Sequence, residues 1–295
     1  MKTSLLASTA LVLSVGAAAA ADFTMADTGH DHSITLSGDA RMGVINEDTG
    51  DGLKFTSRAR VEFSGAGETD GGVGFGFSFR ADNAGGAANG TGGSVFISQG
   101  GHTLAMGDVD SAANAAVGQV SGVGLTGLGD LNEVNYDLND APGDGDGPAL
   151  LYSYSSGAIA FHLSVDNEHG DGDLGQGLAM GVAYDAGTFN VAFGVESDDD
   201  DDTGVFVGVG VDVGSVALHG IMTDTDDDGE EWAVSAEMAT GATTFTVFAA
   251  DTDGSTDWGL GASHDLGGGA SLVAGIAHNE SVDETAYDFG ISMKF

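Results

Sequence analysis

The chain has 295 residues, of which 51 are glycine, two are proline and none is cysteine. So much glycine disfavours long helices, and the lack of cysteine excludes a disulfide scaffold and any thiolate metal site or nucleophile. Acidic residues number 46 against seven Lys and Arg, for a formal net charge of −39, and such a surface repels nucleic acid. We interpret the acidity as adaptation to salty water, where ions screen self-repulsion, with divalent-cation capture by acidic loops as the alternative.

The N-terminus has the residue order of a secretory signal peptide. Lys2 is followed by an apolar stretch over residues 5–15 and then by small residues up to Ala21. The apolar stretch is too short for a spanning helix, so we expect export and removal of residues 1–21. The remaining domain then covers residues 22–295.

Alternating apolar and polar residues predict six strands in the first half of the chain, because successive side chains of a strand point to opposite faces. These strands are expected at residues 33–45, 54–65, 71–82, 93–100, 102–108 and 148–156. Between the fifth and the sixth lies a long segment, residues 109–147, and loops of such length are usually functional.

The second half repeats one unit, a β-hairpin with a short glycine turn at one end and a longer acidic loop at the other. Turns centred on Gly157, Gly187, Gly214, Gly241 and Gly267 to Gly269 recur every 26 to 30 residues and predict ten further strands. Spanning strands of about 9–11 residues, with short turns on one side and long loops on the other, are typical of transmembrane barrels. We therefore predict an all-β fold, a 16-stranded antiparallel transmembrane β-barrel whose long third loop folds into the lumen.

The final strand supports this interpretation. Five alternate apolar residues form one of its faces, and the chain ends on the last of them: Tyr287, Phe289, Ile291, Met293 and Phe295. A closing strand with an outward apolar face and a terminal aromatic residue resembles that of outer-membrane barrel proteins.

Six basic residues follow the first 21 positions, and the alternation places all of them on the lumen face of the first three strands and the last one. They are Arg41, Lys54, Arg58, Arg60, Arg80 and Lys294. The last strand of a closed barrel neighbours the first, so these side chains share one wall. Charged side chains avoid lipid, which explains why all six basic residues face the lumen. It does not explain why they are confined to four strands.

A basic wall that faces an acidic loop produces a transverse field across a narrow aperture, and the charges around a pore set its ion preference. The third loop contains Asp130, Glu133, Asp137 and Asp140, and Asp108 directly precedes it. Because the whole chain carries a large acidic excess, we expect preference for cations.

Motifs along the whole mature chain carry a resemblance to a known family. They are Leu36-Ser-Gly-Asp-Ala-Arg-Met-Gly-Val44, Met106-Gly-Asp108, Gly129-Asp-Leu131 with Glu133-Val134, Leu150-Leu-Tyr-Ser-Tyr154 and Asp265-Leu-Gly-Gly-Gly-Ala-Ser271. With these motifs the chain resembles the general-diffusion porins of photosynthetic and marine alphaproteobacteria, the Rhodobacter type. The resemblance implies an outer-membrane homotrimer that passes small hydrophilic solutes and ions, needs no cofactor and in some family members carries calcium.

The resemblance also implies a constriction between wall arginines and acids of the third loop. Together with the charge pattern, it places the constriction at Arg41, Lys54, Arg58, Arg60, Arg80, Asp108, Asp130, Glu133 and Asp137. The candidate calcium ligands are Asp108, Asp130, Glu133 and Asp140. The third loop departs from the family in being richer in Gly and Ala between Ala112 and Gly129.

Two other classes of function share some of these sequence features. An outer-membrane enzyme is disfavoured, because the eight histidines are scattered and neither Gly-x-Ser-x-Gly nor His-Glu-x-x-His occurs. A secreted, acidic, calcium-binding surface protein or adhesin would keep the signal peptide and the acidity. Such a protein has no need of lipid-facing alternation in its last strand.

Overall fold

The computed structural model describes residues 32–47, 52–84, 92–135, 149–165, 177–197, 202–226 and 229–295. The predicted signal peptide, residues 1–21, lies outside these ranges, as do Asp137 and Asp140. The predicted third loop is described over residues 109–135. Among the described residues, no helix is long and apolar enough to cross a membrane.

Sixteen antiparallel strands in the described part of the chain close into one barrel, in which each strand pairs with its sequence neighbours and β1 pairs with β16. The first eight are β1 (His32–Asn46), β2 (Lys54–Glu68), β3 (Gly74–Ala84), β4 (Ser94–Gln99), β5 (His102–Gly107), β6 (Ala149–Ser156), β7 (Ile159–Val165) and β8 (Leu178–Asp185). The others are β9 (Phe189–Ser197), β10 (Thr203–Val213), β11 (Val216–Thr225), β12 (Gly229–Thr240), β13 (Thr243–Thr252), β14 (Ser255–Gly267), β15 (Ala270–Asn279) and β16 (Glu284–Lys294). The predicted fold class and strand number are confirmed.

The largest differences from the predicted strand boundaries lie on either side of one turn, and the first of them is that β2 extends to Glu68 rather than ending at residue 65. The third strand was expected from residue 71, but β3 begins at Gly74 because the preceding residues close the turn after β2. Thr69 N–H donates to Val73 O at 2.9 Å, and Gly72 has a φ of 78°, a left-handed conformation that glycine adopts without a steric penalty.

The outward face of the barrel is apolar, and the inward face of β10 is buried. In β10, Val205, Val207, Val209 and Val211 are each between 40% and 52% exposed, whereas the intervening residues from Gly204 to Gly210 are buried. Exposed valines on a closed barrel meet lipid, where apolar side chains are favoured. Aromatic residues flank this band, with Trp258 and Tyr287 near the long-loop end, as in membrane-interface belts.

The buried core lies inside the barrel, between the third loop and the wall. The loop contains one short helix, α1 (Ala112–Val117), which contacts β7, β8, β9 and β10. Ala112, Ala113 and Val117 pack in a single apolar cluster with wall residues such as Phe206 and Ile221. The loop therefore lies against the inner wall on one side of the lumen, as predicted.

The two faces of β13 allow a test of which residues face lipid and which face the lumen. Val247, in the middle of β13, is outward and 47% exposed, whereas its neighbour Thr246 faces the lumen beside Glu237. An arginine at the bilayer midplane costs about 2–4 kcal/mol of folding free energy, and a lumen position avoids that cost. We expect Val247→Arg to lower the free energy of unfolding in lipid vesicles by about that amount and Thr246→Arg to lower it far less. Equal losses of unfolding free energy in denaturant titrations of the two variants would contradict this assignment of lipid-facing and lumen-facing residues.

Candidate functional site

Four arginines lie at mid-height on the lumen face of three neighbouring strands. Arg41 of β1 is directly opposite Arg58 of β2, and Arg60 follows two residues later on the same face. Arg80 of β3 joins them from the other side, opposite Glu62 of β2. The alternation of the first three strands therefore brings these arginines together on one face.

Carboxylates of the same wall pair with three of these arginines. Arg58 Nη2 donates to Asp39 Oδ1 at 3.0 Å, and Arg60 Nε donates to Asp82 Oδ2 at 3.0 Å. Arg80 donates to both oxygens of Asp82, at 2.7 Å through Nε and 3.2 Å through Nη2. The wall is a pattern of alternating charges rather than a purely basic surface.

The two lysines predicted for this wall lie apart from the arginines. Lys54 begins β2 at the long-loop end of the barrel, and its Nζ is 3.2 Å from Glu47 Oε2. Lys294 ends β16 at the opposite, short-turn end, where its backbone N–H donates to Gly269 O. By the alternation of their strands both lysines face the lumen, but neither lies at mid-height with Arg58 and Arg80.

A single carboxylate of β16 fixes the far part of the third loop. Asp288 is 3% exposed and accepts three hydrogen bonds from two consecutive loop residues. Leu125 N–H donates to Oδ1 at 2.8 Å, and Thr126 donates to Oδ2 through its N–H at 2.7 Å and its hydroxyl at 2.8 Å. Hydrogen bonds to an ionised acceptor are stronger than neutral ones, so this contact is a firm anchor.

The same stretch of loop also binds the arginine wall. Arg41 Nη1 donates to Leu125 O at 3.1 Å, so Leu125 is held by its N–H on β16 and by its C=O on β1. Arg41 is attracted electrostatically by Asp288 and repelled by Arg58. It therefore joins the loop to the charged wall at the seam where the barrel closes.

Nearer its start, the loop is tied to the wall and then to itself. Ser164 Oγ of β7 accepts from Ala112 N–H at 2.8 Å, and Ser235 Oγ of β12 accepts from Ser121 N–H at 3.2 Å. The loop then doubles back, and Gln119 Oε1 accepts from the N–H groups of residues 134 and 135. Backbone groups that the sheet does not use are thus satisfied by side chains.

Two acids at the beginning of the loop have perturbed ionisation. Loss of hydration on burial raises the pKa of Asp108, although the nearby Arg80 opposes the shift. Asp110 is exposed, but the protein around it reduces its hydration and, with the charge of Asp108, raises its pKa. Asp108 therefore lies within electrostatic range of a wall arginine.

Of the other predicted loop acids, the two that the structure describes, Asp130 and Glu133, lie in a turn. Asp130 adopts a φ of 53°, and its C=O accepts from Glu133 N–H at 2.9 Å. Among the described residues, no group of three or more His, Asp or Glu side chains could hold a metal ion. Asp108, Asp130 and Glu133 therefore do not fit a calcium site by themselves, and Asp140 lies outside the described residues.

Sequence reasoning missed several charged residues of the site. Asp39, Glu62 and Asp82 have the same parity as the arginines, so the alternation rule that selected Arg41 and Arg58 would have selected them as well. The role of Asp288 had no such signal, because its partners lie more than 160 residues away along the chain.

Comparisons with known proteins agree with this architecture. The family model described as Gram-negative porin matches residues 7–284. A porin from Rhodobacter capsulatus is 35% identical over 89% of this chain and 100% of its own length, and a porin from Fuscovulum blasticum is 28% identical over the same shares. A porin structure refined at 1.8 Å is 31% identical with a TM-score of 0.75, and a mutant of Rh. blastica porin is similar in fold, with 21% identity and a TM-score of 0.76.

The anchor at Asp288 gives a direct prediction. In Asp288→Ala the buried N–H group of Leu125 and the part-buried N–H group of Thr126 lose their acceptors, at about 1–3 kcal/mol for a fully buried unsatisfied group. We expect faster hydrogen exchange at these two amides than in the unchanged protein, measured by mass spectrometry after peptic digestion. Asp283→Ala, in the exposed loop after β15, is the control. Unchanged protection in Asp288→Ala would show that other contacts hold the loop.

Proposed function

We infer that this chain, which belongs to the Gram-negative porin family, forms a water-filled channel through which small hydrophilic solutes and ions diffuse. Members of this family are channels rather than enzymes and lie in the bacterial outer membrane. One observation supports the proposal above others. The lumen of the closed barrel has an apolar, loop-covered side and an opposite side of partly exposed charges on β1 to β3.

We propose that the narrowest part of the channel lies between the third loop and the arginine wall. Asp108, which directly follows β5, interacts electrostatically with Arg80, and Arg41 reaches the loop at Leu125. Opposite charges on two sides of a narrow aperture produce a transverse field that favours polar solutes over apolar ones. In this proposal, the paired arginines keep the wall ordered while water fills the remaining space.

We propose a preference for cations at this constriction. Asp39 and Asp82 neutralise much of the positive charge of Arg58, Arg60 and Arg80 at distances of 3.0 Å or less. Asp108 and the exposed Asp110, where β5 leads into the third loop, then add negative charge. The acidic excess of the whole chain, with its formal net charge of −39, attracts cations to both mouths.

A homotrimer is the proposed assembly. The outward face of β2 and β3 carries stacked rings, with 5.0 Å between the centroids of Phe63 and Phe79 and 6.4 Å between those of Phe77 and Phe79. The neighbouring strands β4 and β5 have only six residues each, so this part of the wall is short. A large aromatic surface beside short strands suits contact with another copy, and native mass spectrometry in mild detergent would detect three copies.

The channel proposal does not depend on calcium. Calcium binding remains a prediction that involves Asp140, and calorimetric titration of the purified protein with calcium tests it. No specific observation in the described residues favours the alternative of a calcium-binding surface protein or adhesin.

Reversal potentials in a potassium chloride gradient test the cation preference and the role of the wall. We expect cation preference in the unchanged channel and a stronger one in Arg58→Ala and Arg60→Ala, because Asp39 and Asp82 then lose a partner. Lys54→Ala, at the rim of the barrel, is the control and should shift the potential less. Anion preference in the unchanged channel would overturn the proposal. Unshifted potentials in both arginine variants would show that the arginine wall does not contribute to the ion preference.

The raised pKa of Asp108 and Asp110 gives the channel a pH dependence. A raised pKa means that these carboxylates become neutral at a higher pH than an ordinary aspartate, whose pKa is about 3.9. As the pH falls, cation preference should therefore decrease before ordinary carboxylates are protonated. Asp110→Asn removes one of the groups and the repulsion that it exerts on Asp108, so the decrease should begin at lower pH. An identical pH profile in Asp110→Asn would contradict this assignment.

A further inference from the structure

Glycine recurs on the inner wall beneath the third loop. Among the described residues, eight lumen-facing glycines on seven strands lie so close to the loop that an added Cβ would meet loop atoms at less than 3.3 Å. These loop-contact glycines are Gly43, Gly181, Gly194, Gly208, Gly259, Gly261, Gly275 and Gly290. The loop residues above them are small or apolar, which accounts for the Gly and Ala content between residues 112 and 129.

Helix α1 rests on three of these glycines. A Cβ at Gly194 would lie 2.8 Å from both Cα and Cβ of Ala113, and a Cβ at Gly208 would lie 3.2 Å from Val117 Cγ1. A Cβ at Gly181 would lie 2.6 Å from Ala116 Cβ. Favourable carbon–carbon separations are about 3.5–4.0 Å, so the helix lies on the wall at a height that only glycine permits.

The far part of the loop follows the same rule on the other side of the barrel. A Cβ at Gly261 would lie 2.9 Å from Val123 Cβ, and one at Gly275 would lie 2.5 Å from the backbone of Gly124. At the closing seam, a Cβ at Gly290 would lie 2.6 Å from Leu125 Cδ2. Close contact at glycine therefore occurs on β8 to β10 and again on β14 to β16 and β1.

Other glycines of the strands lack this relation to the loop. On β10, Gly210 is the next lumen-facing position after Gly208, and the three atoms nearest to its added Cβ all belong to the Asn190 side chain. On the lipid face of β11, a Cβ at Gly220 would make ordinary contacts at 3.6 Å or more. Glycine in a strand interior weakens the strand. Close contact with the loop is the physical reason for glycine at the positions beneath it.

We propose that the loop-contact glycines are positioning residues that set the width of the aperture. This inference rests on the proposed channel function and adds its size selectivity. The wall is a closed hydrogen-bonded sheet surrounded by lipid, whereas the loop borders water on its other side. A side chain inserted between them therefore displaces the loop by about 1 Å toward the lumen centre. Keeping the loop flush with the wall leaves more room for hydrated ions and larger polar solutes.

Gly194→Ala tests the proposal, because backbone atoms of Ala113 block the new methyl group and a rotamer change cannot relieve the contact. We expect lower single-channel conductance and a steeper fall in liposome-swelling rates from small to large neutral sugars. Gly210→Ala is the matched control and should leave both measurements unchanged. Gly194 and Gly210 lack a positive φ, so alanine suits their backbone conformation. Unchanged or higher conductance in Gly194→Ala, with an unchanged size dependence, would overturn the proposal.

A compensating pair separates aperture width from a folding defect. Gly208→Ala should reduce conductance mildly, and adding Val117→Ala removes the Cγ1 that the new methyl group meets, so the double variant should recover. Failure to recover, with both variants folded by heat-modifiable gel mobility, would count against the proposal. If the unchanged protein forms no channel, the proposed function fails. If it conducts but Gly194→Ala and Gly208→Ala match it in conductance and size dependence, only this inference fails.

Discussion

The contact between the third loop and the inner wall is the constraint on which the rest of the structure depends. Polar backbone groups of a loop inside a barrel need partners, and Ser164, Ser235 and Asp288 supply them from three different strands. Glycine on the wall and alanine on the loop allow the apolar parts between these bonds to approach closely. Together they divide the lumen into a dry, packed side and a wet, charged side.

The wet side is organised by the pairing of charges across neighbouring strands. In an antiparallel sheet, directly opposite residues face the same way, so Arg60 lies between Asp39 and Asp82 by register alone. Such pairing limits the net charge of the wall while holding each guanidinium in place. Arg41 differs, since it is opposite Arg58 and donates to the loop carbonyl of Leu125. The ordered wall and the anchored loop are therefore one connected unit.

Much of this fold could be predicted from the sequence, because alternation in strands is a local property. The outward aromatic face that ends at Phe295 and the inward direction of Arg58 both follow from a period of two. The same period contained Asp39 and Asp82, although their partners become evident only from the register. The path of the loop had no local signal, because Asp288 and Thr126 are 162 positions apart and meet only when the barrel closes.

The central claim is that the third loop rests on the wall as a fixed element of the channel. The chain has no cysteine, so Ser121→Cys with Ser235→Cys creates a single possible disulfide between the loop and β12. If the loop already lies on the wall, mild oxidation should form this disulfide in the folded protein and leave single-channel conductance unchanged. Absence of the disulfide, or a conductance that changes when it is reduced, would contradict the account.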